Sequence, residues 1–291
     1  MTQSLTVFVT GATGNQGGAV ARALIKHNHK VVALTRNKNS AAAIELAKLG
    51  AEIVEGSLDA PEQLIPSLKN VDTLFLMGSP IETSVETETA QGIAMAKAAK
   101  SANVGHLVYS SVANADKNTG IPHFESKYKV EQAIRSLDIP FTICAPVAFM
   151  ENVIAPWSID AFKTGKIAQA LHGEIKLQQV SHRNLGEFVT DIIEKRSAVF
   201  GQRFDIAGDE VSGDEIADML TKATRKTISC ESFPTSELRK FDDDMATMFE
   251  WLAETGYGVD IRNLHDRFNN INWQSYDQWA GSADWSMFDH S

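Results

Sequence analysis

The stretch "VFVTGATGNQGGAVARAL", residues 7–24, constrains the fold of this chain more than any other feature. A β-branched apolar run leads into Gly11, Gly14 and Gly17 at G-x-x-G-x-x-G spacing, and a helix-forming run follows at once. Each glycine has its own task in such a turn. Gly11 permits the tight reversal, Gly14 lets backbone N–H groups approach a pyrophosphate, and Gly17 lets the helix pack on the sheet. The helix N-terminus then stabilises the anion, because its first amides lack intrahelical partners and its dipole is positive there. Thr13, Asn15 and Gln16 lie in the same loop and join its cofactor-binding set. The plainer alternative is a glycine-rich turn that holds no ligand.

Further short apolar runs follow at helix-length intervals. Leu5–Thr10, Val31–Thr35, Ile53–Val54, Val71–Met77, Leu107–Ser110 and Phe141–Ala145 read as strands, and their lack of strict alternation suits burial on both faces. The segments between them, "GGAVARALIKHN", "AAAIELAKLG" and "ETAQGIAMAKAAKSANV", carry apolar and charged residues at helical spacing. Strand alternating with helix predicts an α/β fold, a Rossmann-type doubly wound parallel sheet with right-handed crossovers. After Pro146 the rhythm breaks. "APWSIDAFKTGKI" reads as a helix, and "IKLQQVSH" and "QRFDIAG" read as short strands before several helices. The expected division is a dinucleotide-binding domain over 1–150 and a smaller α+β C-terminal domain over 151–291, some segments of which extend the sheet. Trp279 and Trp285, near the end, are expected to pack, given the apolar area such rings bury.

Ligands of open α/β sheets lie beyond the carboxyl ends of the strands, which singles out particular residues. After the second strand stands Arg36, where an NAD-preferring protein of this kind carries an acid for the ribose hydroxyls. A guanidinium there clamps a 2′-phosphate and favours NADP(H), with a solvated loop cation as the plain alternative. Ser57 and Leu58 fall near the adenine, with Asp59 beside them as either a neighbour of the ligand or a helix cap. Met77 and Gly78 approach the dinucleotide, while Ser79 and Pro80 turn the chain. Of Ser110 and Ser111, adjacent at a strand end, one should face the ligand and the other point away. Pro146 and Phe149 complete the cofactor set, and Phe149, Met150 and Trp157 are candidates for an apolar substrate pocket.

The chain has 291 residues and a net charge of −10. Residues 1–150 hold 13 basic and 13 acidic side chains, residues 151–291 hold 14 and 24, so the whole excess lies in the second half. That half repels nucleic acid, which disfavours direct DNA contact. Cys144 and Cys230 are too few for a disulfide framework, fit a reducing cytoplasm and lack metal-ligand spacing. No apolar run approaches about 18 residues, and the N-terminus shows no secretory pattern, so a soluble cytoplasmic protein is expected. His27 and His29 read as solvated rather than metal-bound. "FDDDMATMFEWL" reads as a helix whose aspartates favour the N-terminal dipole, with Met245, Met248 and Leu252 at core spacing. No metal is expected.

"GATGNQGGAVARAL", "ALTRN", "YSSVANAD", "HFESKYKVEQ", "PVAFMENV" and "VSHRNLGEFV" occur in an order that resembles the NmrA-like group of atypical short-chain dehydrogenase/reductases, over residues 5 to about 200. The resemblance implies NADP(H) binding and a smaller C-terminal domain forming a cleft with the first. It also implies one of two activities, an NADP(H)-responsive regulator working through a protein partner or an NADPH-dependent reductase of quinones or similar electrophiles. In the wider dehydrogenase family a Tyr-x-x-x-Lys pair moves the substrate proton. The lysine holds the cofactor ribose and lowers the tyrosine pKa. Here Lys127 matches the lysine and His123 stands in the tyrosine's place. The four tyrosines, Tyr109, Tyr128, Tyr257 and Tyr276, are followed four residues on by Ala113, Gln132, Ile261 and Ala280, so no such pair exists in the chain. Lys127 is then a ribose ligand or a surface partner of Glu131, and His123 caps its helix, exchanges protons, or fills space beside the nicotinamide. The incomplete relay favours the regulator. Whether the chain is also an enzyme, and whether it acts on a small molecule or a protein, stays open, as does its oligomeric state.

Overall fold

The computed structural model describes residues 4–79 and 83–288. Six apolar runs form β1 (Thr6–Val9), β2 (Lys30–Thr35), β3 (Glu52–Glu55), β4 (Thr73–Leu76), β5 (Leu107–Ser110) and β6 (Phe141–Pro146), each close to its expected bounds. Between them lie α1 (Asn15–Lys26), α2 (Ala41–Lys48), α3 (Ile65–Leu68), α4 (Val85–Ser101) and α5 (Pro122–Ser136). The chain continues through β7 (Ala148–Phe149), α6 (Ile159–Lys163), β8 (Lys166–Gln169), β9 (Lys176–Val180), α7 (His182–Lys195), β10 (Arg203–Ile206) and β11 (Asp209–Ser212). It ends with α8 (Gly213–Thr224), β12 (Ser229–Ser232), α9 (Thr235–Leu238), α10 (Asp243–Thr255), α11 (Ile261–Arg267) and α12 (Tyr276–Ser282).

The main sheet runs β10-β6-β5-β4-β1-β2-β3, and β1 to β6 pair in parallel. This is the doubly wound order, in which the direction of winding reverses between β1 and β4 and leaves a crevice at their carboxyl ends. All four residues of β4 and of β5 are buried, which explains why their sequences do not alternate. Phe8, Leu74, Leu76, Met95, Leu107 and Tyr109 form the centre of the packing, each at most 1% exposed.

The chain divides into two compact units. The first comprises residues up to Asn118, Pro122–Ala145 and Leu185–Asp205; the second comprises Thr119–Ile121, Pro146–Asn184 and Ile206 onward. A single boundary near 150 does not describe this path. The chain returns to the first unit with α7, whose Leu185, Phe188, Val189, Ile192 and Ile193 are fully buried, and with β10, which joins the sheet beside β6. Gly186 makes that return possible by allowing close approach to α1, since an added Cβ would lie 2.7 Å from the Ala19 carbonyl oxygen.

The second unit holds a β11-β9-β7 sheet and a β12-β8 pair around a core that includes Met150, Phe162, Leu220, Tyr276 and Trp279. Trp285 packs at 5.8 Å from Trp279 and 5.6 Å from Phe162, so the two tryptophans do pack. "APWSIDAFKTGKI" forms only the short α6, because the chain turns at Gly165, with φ +83, into β8. α10 starts on its acidic run, with Asp242 accepting from the Met245 amide, but its buried positions are Ala246 and Leu252, and Met245 and Met248 are half-buried. Pro80 and residues 289–291 lie outside the described residues.

Candidate functional site

The glycine loop joins β1 to α1, and its three glycines differ in what the fold itself requires of them. Gly11 has φ +62, and an added Cβ would lie 2.6 Å from the Met77 sulfur. At Gly17 a Cβ would lie 2.3 Å from the Gly11 carbonyl oxygen, so the start of α1 can seat only a glycine there. Gly14 is different. Its backbone is extended at φ −97, and a Cβ would meet only the Gly11 oxygen at 3.4 Å. Neither strain nor packing demands glycine at 14, and its bare backbone leaves room for a group to approach from outside the fold. Gly14 is also the N-cap of α1, no side chain caps that helix, and its first turn holds no acid. Gly14 and Asn15 are exposed and Thr13 and Gln16 half-buried, which leaves an open shelf of amides at a positive helix end. These residues fit a pyrophosphate.

The strand ends gather around this shelf. The Thr10 hydroxyl donates to the Met77 carbonyl at 3.0 Å and accepts from the Met77 amide at 2.8 Å, stitching the end of β1 to that of β4. Ser110 donates to Gln16 Oε1 at 2.8 Å, whereas Ser111 donates to buried Glu131 at 2.5 Å, so the two serines diverge as their alternation requires. Arg36 is exposed directly beyond β2. Ser57 and Leu58 are half-buried after β3, and Asp59 does not cap a helix, since Ala60 occupies the cap position ahead of Pro61. Instead the Asp59 carboxylate accepts from Gln91 at 2.6 Å and from Ser57 at 2.8 Å. Those bonds, aided by the nearby charge of Arg36, hold its pKa below the usual range.

Lys127 does not pair with Glu131. Its ammonium is 2.6 Å from Glu88 Oε1 and 3.5 Å from the Gly78 carbonyl, and its side chain is only 12% exposed. Glu131 turns the other way, where Arg203 Nε lies 3.2 Å away. Glu88, 2% exposed in the first turn of α4, also accepts from Ser126 Oγ at 2.7 Å. His123 is the second residue of α5 rather than its cap, and its half-buried ring meets Phe124 edge-on at 4.8 Å between centroids. Burial pushes the hydroxyls of Tyr109, Tyr257 and Tyr276 above their ordinary pKa, so none of the three suits proton transfer near neutrality.

Pro146 and Phe149 belong to the second unit. Pro146 is buried, Met150 is core, and Trp157 is 63% exposed, so Phe149, Met150 and Trp157 do not share one surface. Phe149 instead lies 4.3 Å from the ring of His182, which has Nδ1 3.2 Å from Glu151. The Glu151 carboxylate also accepts from the His182 amide at 3.0 Å and from Trp279 Nε1 at 3.1 Å, and burial raises its pKa while pulling that of His182 down to about 4. Sequence reasoning missed Glu88, Glu151 and His182, because their partners are distant in the chain. His29 was expected in solvent but is buried, with Nδ1 accepting from the Leu5 amide and Nε2 3.0 Å from Glu194, while His27 contacts Glu187. Among the described residues no cluster of three or more His, Cys, Asp or Glu could hold a metal ion.

A model of the NmrA-like family matches residues 3–280. An NmrA-like family domain-containing protein of Dictyostelium discoideum is 27% identical over 284 residues, which cover 89% of this chain and 92% of that one. Two solved structures share the fold. NmrA, a negative transcriptional regulator in complex with NADP, superposes with a TM-score of 0.80 at 18% identity, covering 97% of this chain and 95% of its own. Citrobacter sp. triphenylmethane reductase complexed with NADP(H) gives 0.78 at 20% identity, covering 95% and 99%.

Proposed function

The chain belongs to the NmrA-like family, and from that premise we propose that it binds NADP(H) and reports the redox state of the cofactor to a protein partner. The amides at the start of α1 hold the pyrophosphate, Arg36 holds the 2′-phosphate, Ser57 and Leu58 flank the adenine, and Met77, Gly78 and Ser110 line the carboxyl ends of β4 and β5. Lys127 has three ammonium protons, two of them directed to Glu88 and Gly78, and the third is available to a ribose hydroxyl. Bound NADP(H) supplies a hydride couple. The observation that carries the regulatory reading is the pairing of Lys127 with buried Glu88. A dehydrogenase lysine works on its neighbouring acid through its positive charge, and here that charge is cancelled at 2.6 Å. The tyrosine relay therefore lacks both its acid and the field that would activate one.

Two measurements test this. Arg36→Ala should weaken NADP(H) binding far more than NAD(H) binding, and equal losses would remove the assignment of the 2′-phosphate. NADP+ and NADPH should differ in affinity or in the protease sensitivity they confer, because an effector acts only through differential affinity for two states. Identical binding and identical digestion patterns would remove the redox-reporting role. The partner would meet an acidic surface, a cytoplasmic location is part of the same proposal, and no described helix is long and apolar enough to cross a membrane.

The second unit favours a second reading, an NADPH-dependent reductase of a quinone or similar electrophile, because it holds beside His182 a buried carboxylate, Glu151, whose pKa burial raises above the ordinary carboxylate range. Such a group can exchange a proton without the tyrosine. NADPH absorbance followed with a panel of quinones and enones separates the readings. Turnover that disappears in a folded Lys127→Ala protein supports the reductase.

A further inference from the structure

Resting on the proposal that Lys127 sits at the nicotinamide ribose, we infer that Glu88 raises the affinity of this protein for the oxidised cofactor relative to the reduced one by neutralising Lys127. Glu88 is built into the site from three elements. Ser84 caps α4 and places Glu88 in its first turn, Ser126 and Lys127 reach it from α5, and Gly78 beyond β4 leaves it room, since a Cβ at 78 would lie 3.1 Å from Glu88 Cγ. Among the described residues Lys127 is its one ion-pair partner.

A glutamine can still accept from Lys127 through its amide oxygen and donate to the Ser126 hydroxyl, which also donates to the His123 carbonyl, so what the carboxylate adds is its charge. The two forms of the cofactor differ in charge at one place. The oxidised nicotinamide ring carries a formal positive charge and the reduced ring is neutral, while the phosphates and ribose hydroxyls are the same in both. A lone lysine beside the ring would repel the oxidised form and leave the reduced form untouched. Glu88 cancels that repulsion inside a water-poor site, where screening is weak. It therefore raises the affinity for NADP+ relative to NADPH. A purely structural role, holding α4 to α5, would change both affinities together and leave their ratio unmoved.

The test is calorimetric titration of the full chain with NADP+ and NADPH for the parent, Glu88→Gln, Lys127→Met and the double variant, with cooperative thermal unfolding as the folding control. Glu88→Gln should raise the ratio of the NADP+ to the NADPH dissociation constant on the order of tenfold, the effect of one uncompensated charge in a weakly screened site. Lys127→Met should move the ratio the opposite way, because Glu88 is then left alone. The double variant, again neutral, should return to the parent ratio even though both affinities fall with the lost ribose contact. If Glu88→Gln does not fold, the Lys127→Met and double variants still decide by the same opposition. An unchanged ratio in variants that bind both nucleotides overturns the role of Glu88, whereas a parent protein that binds neither nucleotide overturns the proposed function beneath it.

Discussion

His106 shows at the scale of one residue how burial becomes a property of the whole protein. It is fully buried beside Phe200, with Nε2 2.9 Å from the Thr142 hydroxyl and Nδ1 without a hydrogen-bond partner among the described residues. Burial, with a smaller push from the charge of Arg196, pulls its pKa from 6.5 to about 3. The unfolded chain therefore takes up a proton below pH 6.5 that the folded protein refuses, and stability falls as the pH drops from 6.5 towards 3. At pH 5.5 the loss from this group alone is on the order of 1 kcal/mol. The urea midpoint of the parent should fall between pH 7.5 and 5.5 by more than that of His106→Leu, which has no proton to gain; parallel declines would show that the group is not buried neutral. Nothing near position 106 in the sequence announces this, and the same holds for Lys127, whose partner Glu88 is 39 residues away, and for Glu131, whose partner Arg203 is 72 residues away. Gly11 and Gly17 were legible because the atoms that exclude a side chain there lie within the same turn, or in the strand end beside it.

Among the elements, α1 begins differently from most of the longer helices. α2, α4, α8, α10, α11 and α12 each follow a serine or aspartate whose side chain accepts from an amide of the first turn. α1 follows Gly14, and no side chain serves its amides. Gly14 has room for a side chain and an ordinary φ, so Gly14→Asp should fold and hold stability within a few tenths of a kcal/mol or gain it, as N-cap exchanges do. The same change sets a carboxylate where the proposed pyrophosphate would lie and should weaken NADPH binding more than tenfold. Denaturant unfolding and NADPH titration read the two effects separately, and a stable protein with unaltered NADPH affinity would show that the start of α1 does not hold the phosphates. Elements of the first half were legible because each alternates between β-branched runs and helix formers bounded by local stop signals. α6 and β8 were not, because the change from helix to strand falls on Gly165, whose role depends on its closeness to the Thr227 carbonyl far along the chain.

For the whole molecule, the alternation of strand and helix predicts the doubly wound sheet, and the expectation that some segments beyond 150 extend it leaves open which segments return. The fold shows that they are α7 and β10, which complete the first unit. Residues 1–150 expressed alone would therefore lack Leu185, Phe188, Val189, Ile192 and Ile193, all fully buried in the intact protein. At about 1.5–3 kcal/mol for each large apolar side chain, their absence forfeits on the order of 10 kcal/mol as an upper figure. That is comparable with the roughly 5–15 kcal/mol that holds a typical domain together. The shortened chain also loses Glu194, which faces buried His29, and Glu187, which pairs with Lys26 and His27, leaving polar groups at the foot of α1 without partners. Residues 1–150 should show no cooperative thermal transition and no NADPH binding, although every residue of the glycine loop and Lys127 is present. Residues 1–205 should regain a cooperative transition, because they include all three segments of the first unit. A shortened chain of 1–150 that unfolds cooperatively would mean that α7 and β10 only cover a sheet able to stand without them.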